Sequence, residues 1–452
     1  HSDHRRQRQM CIRDRIMLFK YKLITKYLFF ALITLCSGQQ YLSPLIPNNY
    51  FIPNAADLAK GAIFSGPFSD NIFKDAAQNY NLEINVIRNS YAERRSFPVI
   101  DMFDDVVTQN VYALNRPAFT SYAWSFSADL NQKYKMPFLV SISDGLFWDF
   151  RYDYNEEVRA SLGPGVYNRD PVAGYHVVNV EGAIRSFELG LSTSIGDKAK
   201  VGLIFENFYE DDISYIKGVN VFNQDEALAS DTTNIRLLDL SVKGTNRITF
   251  GSTYDIKENI SIGFNFKPKL EMKFSSDGLM PVLDERTQLP NFVVSDSASF
   301  YSANLPSEMS IGFSLQVNNP TETYIHGGFV FKDWDKYDTY EVSHSKIDTA
   351  VFNYQSTFGF SLGVEHIILG KTPLRFGFLF SESPLGEEFE ITKFSIGSGF
   401  VFDNLSVDVS AIFGANDYRY QDLFQTAAQE NSFLDRVDES STVIKATVKY
   451  SF

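Results

Sequence analysis

The sequence predicts an all-β protein: a fourteen-stranded antiparallel transmembrane β-barrel with an N-terminal plug, or hatch, inside its lumen. Three observations predict this fold class. Apolar residues recur at every second position in one segment after another, short connections alternate with long ones, and the chain ends on an aromatic residue within such a segment, Phe452. A period of two residues is the pattern of a β-strand with one apolar face.

Residues 1–38 are not expected to belong to the folded protein. Residues 1–16 are basic and have no apolar pattern, so we interpret them as a non-native extension. Residues 17–38 place lysines before an apolar run of about ten residues, YLFFALITLC, which is the organisation of a secretory signal peptide. Lipidation at Cys36 is the alternative, although the preceding Ile33-Thr34-Leu35 lacks the small residues expected before a lipidated cysteine.

The composition excludes several classes of protein. Only the signal-like run is strongly apolar, and it is shorter than the roughly 20 residues that a transmembrane helix needs. The formal net charge is −14, and removal of the basic N-terminus makes the remainder more acidic, so nucleic acid is not an expected partner. Both cysteines, Cys11 and Cys36, lie in residues 1–38, so we expect backbone pairing and packing, not disulfides, to stabilise the fold.

Residues 39–80 are interpreted as the hatch. This segment is a mixture of Pro, Asn and Ala without strand alternation, yet it carries apolar side chains that would be costly to leave in water. The lumen of a barrel offers them an apolar partner. These side chains are Phe51, Ile52, Leu58, Ile63, Phe64 and Phe68.

Residues 81–452 are interpreted as the barrel. Apolar residues alternate in every segment, as in the sets Phe187-Leu189-Leu191, Ile248-Phe250, Ile260-Ile262-Phe264-Phe266, Met309-Ile311-Phe313, Phe358-Phe360-Leu362, Leu374-Phe376-Phe378-Phe380 and Val407-Val409-Ala411. The intervening positions carry Ser, Thr and Gly, as in Glu188-Gly190-Ser192 and Ser310-Gly312-Ser314. Small polar residues at this density are typical of a hydrated barrel lumen. A soluble sandwich surface would favour Lys, Glu and Thr.

The connections support a spanning barrel, in which short turns at one end alternate with long loops at the other. Short links rich in turn-forming residues are predicted at 196–198, 257–259, 318–321, 370–373 and 403–404. Long acidic connections are predicted at 149–173, 210–234, 276–306 and 416–440. Counting strands from about Asn81 gives an even number, fourteen, with both chain ends on the short-turn side. Closure leaves no unpaired sheet edge in hydrocarbon.

The last strand alternates strictly. Ile444, Ala446, Val448, Tyr450 and Phe452 fall on one face, and Lys and Thr fall on the other. We predict that this strand pairs with the first one, and that Tyr450 and Phe452 lie in the interfacial aromatic belt. A terminal Phe after such alternation also resembles the assembly signal of bacterial outer-membrane barrels.

At this level the chain resembles the long-chain fatty-acid transporters of the FadL/TodX type. The similar stretches include NRITFGSTYDIKENISIGFNFKPKLEMKF and LPSEMSIGFSLQVNNPTETYIHGGFVFKDWDKY, with Trp334-Asp335 after a strand and Ser383-Pro384 in a loop. The family's hatch often carries Asn-Pro-Ala, whereas this chain has Pro53-Asn54-Ala55.

The resemblance implies a passive transporter in the bacterial outer membrane. A hydrophobic molecule such as a long-chain fatty acid would bind in the lumen, the hatch would shift, and the solute would leave sideways at a kink in the third strand. That strand would be Met136 to Phe150, where Asp144-Gly145 interrupts the alternation. The alternative is a turn that ends a shorter strand.

The resemblance also implies solute contacts and partners. We predict contacts from the apolar hatch residues and from Phe329 and Phe331, although the alternation of these two with Gly328 and Val330 leaves the faces of their strand open. The expected partners are hydrophobic small molecules, outer-membrane lipid and the barrel assembly machinery, with no cofactor and no metal.

An enzyme is not expected. The sequence has no Gly-x-Ser-x-Gly elbow, phosphate loop or zinc spacing, and the histidines after the signal are scattered: His176, His326, His344 and His366. Acidic runs such as Glu210-Asp211-Asp212 could bind a cation, with solvated loop charge as the alternative. A barrel that acts as a secretion or surface-attachment partner remains the alternative function, and a general porin is a weaker third.

Overall fold

The computed structural model describes the chain from Tyr80 to Phe452 apart from short stretches in the connections. These stretches are 101–102, 104–105, 131–137, 150, 160–171, 222–235, 243–244, 277–278, 284–289, 295–298, 319–321, 335–337, 344–345, 352–354, 369–371, 385 and 421–433. Within the described residues, no helix is long and apolar enough to cross a membrane.

The described chain is almost entirely strand. The first half contains β1 (Tyr80–Ile100), β2 (Val106–Asn115), β3 (Ala118–Asp129), β4 (Phe138–Asp149), β5 (Tyr152–Arg159), β6 (Val172–Ile195), β7 (Ala199–Val221), β8 (Arg236–Val242), β9 (Thr245–Lys257), β10 (Ile260–Lys267), β11 (Leu270–Ser276) and β12 (Leu279–Leu283). The second half contains β13 (Pro290–Val294), β14 (Ser299–Leu305), β15 (Ser307–Asn318), β16 (Glu322–Asp333), β17 (Asp338–Ser343), β18 (Lys346–Val351), β19 (Thr357–Ile368), β20 (Thr372–Ser381), β21 (Ile391–Phe402), β22 (Leu405–Tyr420) and β23 (Asp435–Ser451). One 3-10 turn, Glu387–Phe389, precedes β21.

These segments form a ring of fourteen barrel strands in one antiparallel sheet, which confirms the predicted barrel. The predicted plug, residues 39–80, lies outside the described residues apart from Tyr80. Some barrel strands consist of two consecutive segments, because the chain bends while it continues in the same direction. With the fourteen barrel strands numbered in chain order, these two-segment strands are as follows: barrel strand 2 is β2 with β3, strand 3 is β4 with β5, strand 6 is β8 with β9, strand 7 is β10 with β11, strand 8 is β14 with β15, strand 9 is β16 with β17, and strand 10 is β18 with β19. The ring closes where β1 pairs with β23, from Asn81 opposite Ser451 to Ser96 opposite Arg436.

The two faces of the sheet differ as the alternation predicts. The outer face exposes large apolar side chains, including Ile84, Leu189, Leu191, Ile248, Phe250, Ile262, Phe264, Ile311, Phe358, Val409, Ile444 and Val448. The inner face buries small polar ones, including Asn85, Ser192, Thr249, Thr253, Asn265, Ser310, Ser314, Ser361, Ser395, Ser410 and Thr447. An exposed apolar face suits lipid, and the polar inner face suits a hydrated lumen.

Bulges bend the barrel wall above this apolar band. In the β6–β7 ladder the register shifts between Glu181 and Ala183. Gly182 has a φ of +95°, and a Cβ there would lie 2.3 Å from the carbonyl oxygen of Asp212. Only glycine adopts this backbone at this approach without strain.

The long connections contain more strand than the sequence predicted. β7 extends for 23 residues and pairs with β6 as far as Gly174 opposite Val221. A tilted strand needs only about 9–11 residues to cross the membrane. Beyond the apolar band both faces meet water, so the backbone ladder continues without the apolar alternation that made strands visible in the sequence. The predicted boundaries at 149–173, 210–234, 276–306 and 416–440 were therefore wrong at their ends.

Candidate functional site: a gap in the barrel wall

The backbone ladder between the second and third barrel strands is interrupted. β3 pairs with β4 from Asp129 opposite Leu139 up to Trp124 opposite Asp144. Farther from the short-turn end, β2 pairs with β5 only at Ala113 opposite Glu156. Among the described residues of 114–123 and 145–155, the two strands therefore have no paired residues. The ladders on either side of this pair of strands continue past the same level.

Local sequence explains why the two strands separate. The second barrel strand breaks at Arg116-Pro117, and proline has no backbone N–H to give to a ladder. In the third barrel strand the register against β6 shifts between Leu146 and Trp148, which makes Phe147 an extra residue. Such a bulge bends its strand away from the neighbour.

Asp144 and Gly145 lie where the gap begins, at its end nearer the short turns. Asp144 is the last residue of the third barrel strand to pair with the second. Gly145 continues β4 and pairs with Ser186, so the alternative of a turn ending a shorter strand was wrong. A Cβ on Gly145 would have one near neighbour, the Cβ of Ala123 at 3.9 Å. This glycine therefore leaves the space between the strands open on the inner side.

At the level of the gap, on the lumen side, buried polar side chains form a network that links the strands. The hydroxyl of Tyr152 in β5 donates to Glu93 in β1 over 2.6 Å, and Glu93 forms an ion pair with Arg95. Tyr91 in β1 donates to Glu439 in β23 over 2.7 Å. These groups are buried, so their hydrogen bonds compensate for lost hydration. The third barrel strand is thus connected to the first where its ladder to the second is missing.

Apolar side chains line the inner face near the gap. Ile87, Ile412 and Val443 form a buried cluster against which Leu379 packs. Ile87 lies opposite Ser121, which belongs to the unpaired stretch of the second barrel strand. On the third-strand side of the gap, the ring of Phe147 in β4 lies 4.5 Å from that of Phe208 in β7. The sequence analysis did not single out these residues, because each occupies a lumen position where the pattern otherwise places polar side chains.

The lumen also contains ion pairs that link neighbouring strands. Arg247 binds Glu206 at 2.7 Å, and its guanidinium lies 5.4 Å from the ring centre of Phe208. Arg375 bridges the carboxylates of Glu365 and Asp408. Each cation is matched by a carboxylate. The inner wall therefore has charged bands beside its apolar patch.

Phe329 and Phe331 do not face the lumen, so the prediction that they contact solute there was wrong. Phe329 lies opposite Ile311 and Phe360, both on the exposed apolar face, and is itself 65% exposed. Phe331 lies opposite Met309 and Phe358 on the same face. Directly opposed residues of antiparallel strands share a face, which makes both rings lipid-facing.

The last strand pairs with the first, as predicted. Tyr450 and Phe452 are on the outer face, with their rings 4.7 Å apart in an edge-to-face arrangement. The backbone N–H of Phe452 donates to the carbonyl of Tyr80 over 2.8 Å, the last hydrogen bond of the closing seam. The predicted hatch contacts Phe51, Ile52, Leu58, Ile63, Phe64 and Phe68, and the motif Pro53-Asn54-Ala55, lie outside the described residues.

A fourteen-stranded antiparallel barrel with a lipid-facing apolar exterior and a local gap in its wall defines a class of membrane protein. Solved structures of similar fold include the following three. A Pseudomonas aeruginosa FadL homologue matches with a TM-score of 0.52 and 13% identity, over 93% of this chain and 98% of that one. The P. putida toluene transporter TodX matches with a TM-score of 0.56 and 12% identity, over 88% and 98%. The CymD monoaromatic hydrocarbon channel matches with a TM-score of 0.51 and 11% identity, over 90% and 99%.

No protein-family model and no curated protein sequence matches the chain. At these identities the structural likeness establishes the fold. The chain has the fold of the FadL/TodX-type transporters, which confirms at that level the resemblance found in the sequence.

Proposed function

We propose that the protein is a passive outer-membrane channel for hydrophobic small molecules, which enter the lumen and leave sideways through the gap between the second and third barrel strands. The gap carries this proposal. A continuous barrel wall offers an apolar molecule no way into the membrane except through water. An interrupted ladder beside an apolar lumen patch offers a direct one.

The solute class follows from the lining of the path. Ile87, Ile412 and Val443 offer apolar contact without a dedicated polar recognition group, so the molecule recognised is hydrophobic and its shape is loosely specified. The structural neighbours are described as transporters of toluene and channels for monoaromatic hydrocarbons, and one as a FadL homologue. We propose the same broad class here, from monoaromatics to long-chain fatty acids.

The remaining parts of the proposal come from the sequence. Residues 17–38 direct export, residues 39–80 form a hatch whose movement admits the solute, and Phe452 is read by the barrel assembly machinery. The hatch residues around Pro53-Asn54-Ala55 compete with the solute for the apolar lumen patch. Outer-membrane lipid receives the solute.

Uptake measurements test the proposal. Cells that make the protein are expected to take up labelled toluene or oleate faster than cells that lack it. Gly145→Leu is expected to abolish most of the difference, because its side chain extends toward Ala123 and fills the gap. Gly145→Ala is the control of smaller size and keeps most of the uptake. Equal uptake with and without the protein contradicts transport and favours the role of a secretion or attachment partner.

A further inference from the structure

The gap exposes backbone acceptors in the membrane wall. Thr120 and Tyr122 belong to the stretch of the second barrel strand that has lost its partner. They are two residues apart, so their carbonyl groups point toward the same edge of the strand. An orphan carbonyl in a lipid environment costs several kcal/mol, and an open edge is normally excluded from such a wall. Something other than a neighbouring strand has to satisfy these two acceptors.

Arg151, between β4 and β5, satisfies the first. Its Nη1 donates to the carbonyl of Thr120 over 3.0 Å, and its Nη2 donates to the hydroxyl of Ser121 over 2.6 Å. Its Nε donates to a carboxylate oxygen of Asp149 over 2.7 Å. The guanidinium also lies 4.9 Å from the ring centre of Phe119. The side chain thus crosses from the third barrel strand to the second within the gap.

Arg185, on β6 in the fourth barrel strand, satisfies the second. Its Nη2 donates to the carbonyl of Tyr122 over 2.9 Å, so the side chain reaches past the third strand. Its Nε donates to Asp144 over 3.0 Å, and the hydroxyl of Tyr209 donates to the other oxygen of Asp144 over 2.7 Å. Asp144 therefore holds Arg185 across the outer side of the gap.

We propose that Arg151 and Arg185 are positioning residues that replace the missing backbone donors at this edge and thereby set how wide the gap stands. Each arginine has a carboxylate, Asp149 or Asp144, that neutralises its charge. Each also donates an N–H to a backbone carbonyl at the edge of the second barrel strand. Five donors on a planar, permanently charged group make arginine suited to binding both partners at once.

The inference deepens the proposed function, on which it rests for its consequence. To pass between the strands, a solute has to displace the Arg185 guanidinium from the carbonyl of Tyr122. Asp144 and Tyr209 keep the guanidinium nearby, so that it can bind Tyr122 again after the solute has passed. This step breaks no ion pair, because the Arg185–Asp144 pair stays intact. Arg151 holds the same edge at Thr120, so the closed gap depends on one such hydrogen bond from each arginine, and loss of either one favours the open state.

A thiol reporter tests the positioning role independently of transport. Residues 39–452 contain no cysteine, so Ala123→Cys, with Cys11 and Cys36 changed to Ser, provides a single thiol beside the gap. Ala123 faces the lumen and is 6% exposed. The full-length protein is reconstituted in phosphatidylcholine vesicles, and labelling by lipid-dissolved pyrene maleimide is followed by fluorescence.

Arg185→Met and Arg151→Met are each expected to raise the labelling rate about tenfold, the effect of losing one hydrogen bond to a charged group on an opening equilibrium. Arg185→Lys, which keeps a charged donor, is expected to restore most of the protection. Arg88→Met is the matched control, because Arg88 donates to the side chain of Thr120, not to an edge carbonyl. It is expected to change the rate less than twofold.

Heat-dependent gel mobility checks that each variant is folded. If Arg185→Met does not insert, Tyr209→Phe replaces it as the test variant, because it removes a hydrogen bond to Asp144, and a smaller increase in labelling is expected. Labelling of both Met variants at the Arg88→Met rate overturns the positioning role, whatever the uptake. Faster labelling of the Met variants, with no toluene uptake by any protein, supports the positioning role and contradicts transport.

Discussion

At the scale of single residues, neighbouring positions of one strand meet different solvents. Phe378 in β20 lies opposite Leu362 and Phe394 on the outer face, and its ring centre is 5.4 Å from that of Phe360. Gly377, one residue earlier, lies opposite Gly363 and Ser395 on the inner face. A polar substitution should therefore cost much more stability at Phe378 than at Gly377.

We expect Phe378→Arg to destabilise the barrel by about 2–4 kcal/mol, because it places a charge in lipid near the middle of a spanning strand. Gly377→Ser should cost little, since a hydroxyl suits the polar lumen. Urea unfolding in vesicles, or the temperature at which heat-dependent gel mobility changes, measures both. Equal losses for the two variants would contradict the assigned register.

Phe329 and Phe331 show why faces are difficult to assign residue by residue. Gly327, on the same strand and the same outer face, lies directly opposite Phe313, and a Cβ there would be 2.6 Å from the Phe313 ring. A glycine on the lipid face, covered by a neighbouring aromatic ring, imitates a lumen position in the sequence. Only cross-strand pairing with Ile311 and Phe360 resolves the ambiguity.

At the scale of elements, the closing seam joins the first and last strands of the chain. Asn81 to Ser96 of β1 pair without interruption with Arg436 to Ser451 of β23. On the inner face, the hydroxyl of Thr447 donates to Asn85 over 2.7 Å and that of Ser451 to Asn81 over 2.6 Å. The seam is thus secured on its lumen side as well as by backbone. Its last backbone bond belongs to Phe452.

Removal of Phe452 is expected to lower insertion into the outer membrane severalfold, while export to the periplasm continues because the N-terminal signal is unchanged. Phe452→Ala separates two causes. It keeps the backbone bond to Tyr80 and removes only the exposed ring. Fractionation followed by heat-dependent gel mobility gives the inserted fraction. If the truncated chain inserts at the normal level, the aromatic terminus has no role in assembly.

At the scale of the whole molecule, strand pairing around the ring does not require residues 39–79, since β1 begins at Tyr80 and closes directly onto β23. If these residues form the hatch, the barrel should fold without much of it. The hatch would then govern what the lumen admits, and the gap would govern what leaves it.

Deletion of Pro47 to Ser69 is accordingly expected to leave a folded barrel with raised ion conductance in planar bilayers, because the polar lumen would be filled by water. The control is Gly145→Leu, which changes the exit and leaves the hatch intact, and should not raise conductance. A deletion variant that folds and conducts no better than the full chain would show that the segment does not occlude the lumen.

The sequence by itself determined the class of fold, the even number of strands and the lipid-facing residues of most strands. These follow from a period of two residues, which a membrane imposes on every spanning strand. The final strand from Ile444 to Phe452 and β20 from Leu374 to Phe378 could be placed this way, because apolar and polar positions alternate along those residues.

The tertiary structure decided what depends on register between strands. The stop in pairing after Trp124 and Asp144, the extra residue at Phe147 and the continuation of β6 and β7 beyond the apolar band are relations between segments distant in the chain. So are the contacts of Arg151 and Arg185 with the edge carbonyls of the second barrel strand. An unpaired carbonyl has no signature in a single strand, because whether it finds a donor depends on its neighbour in space.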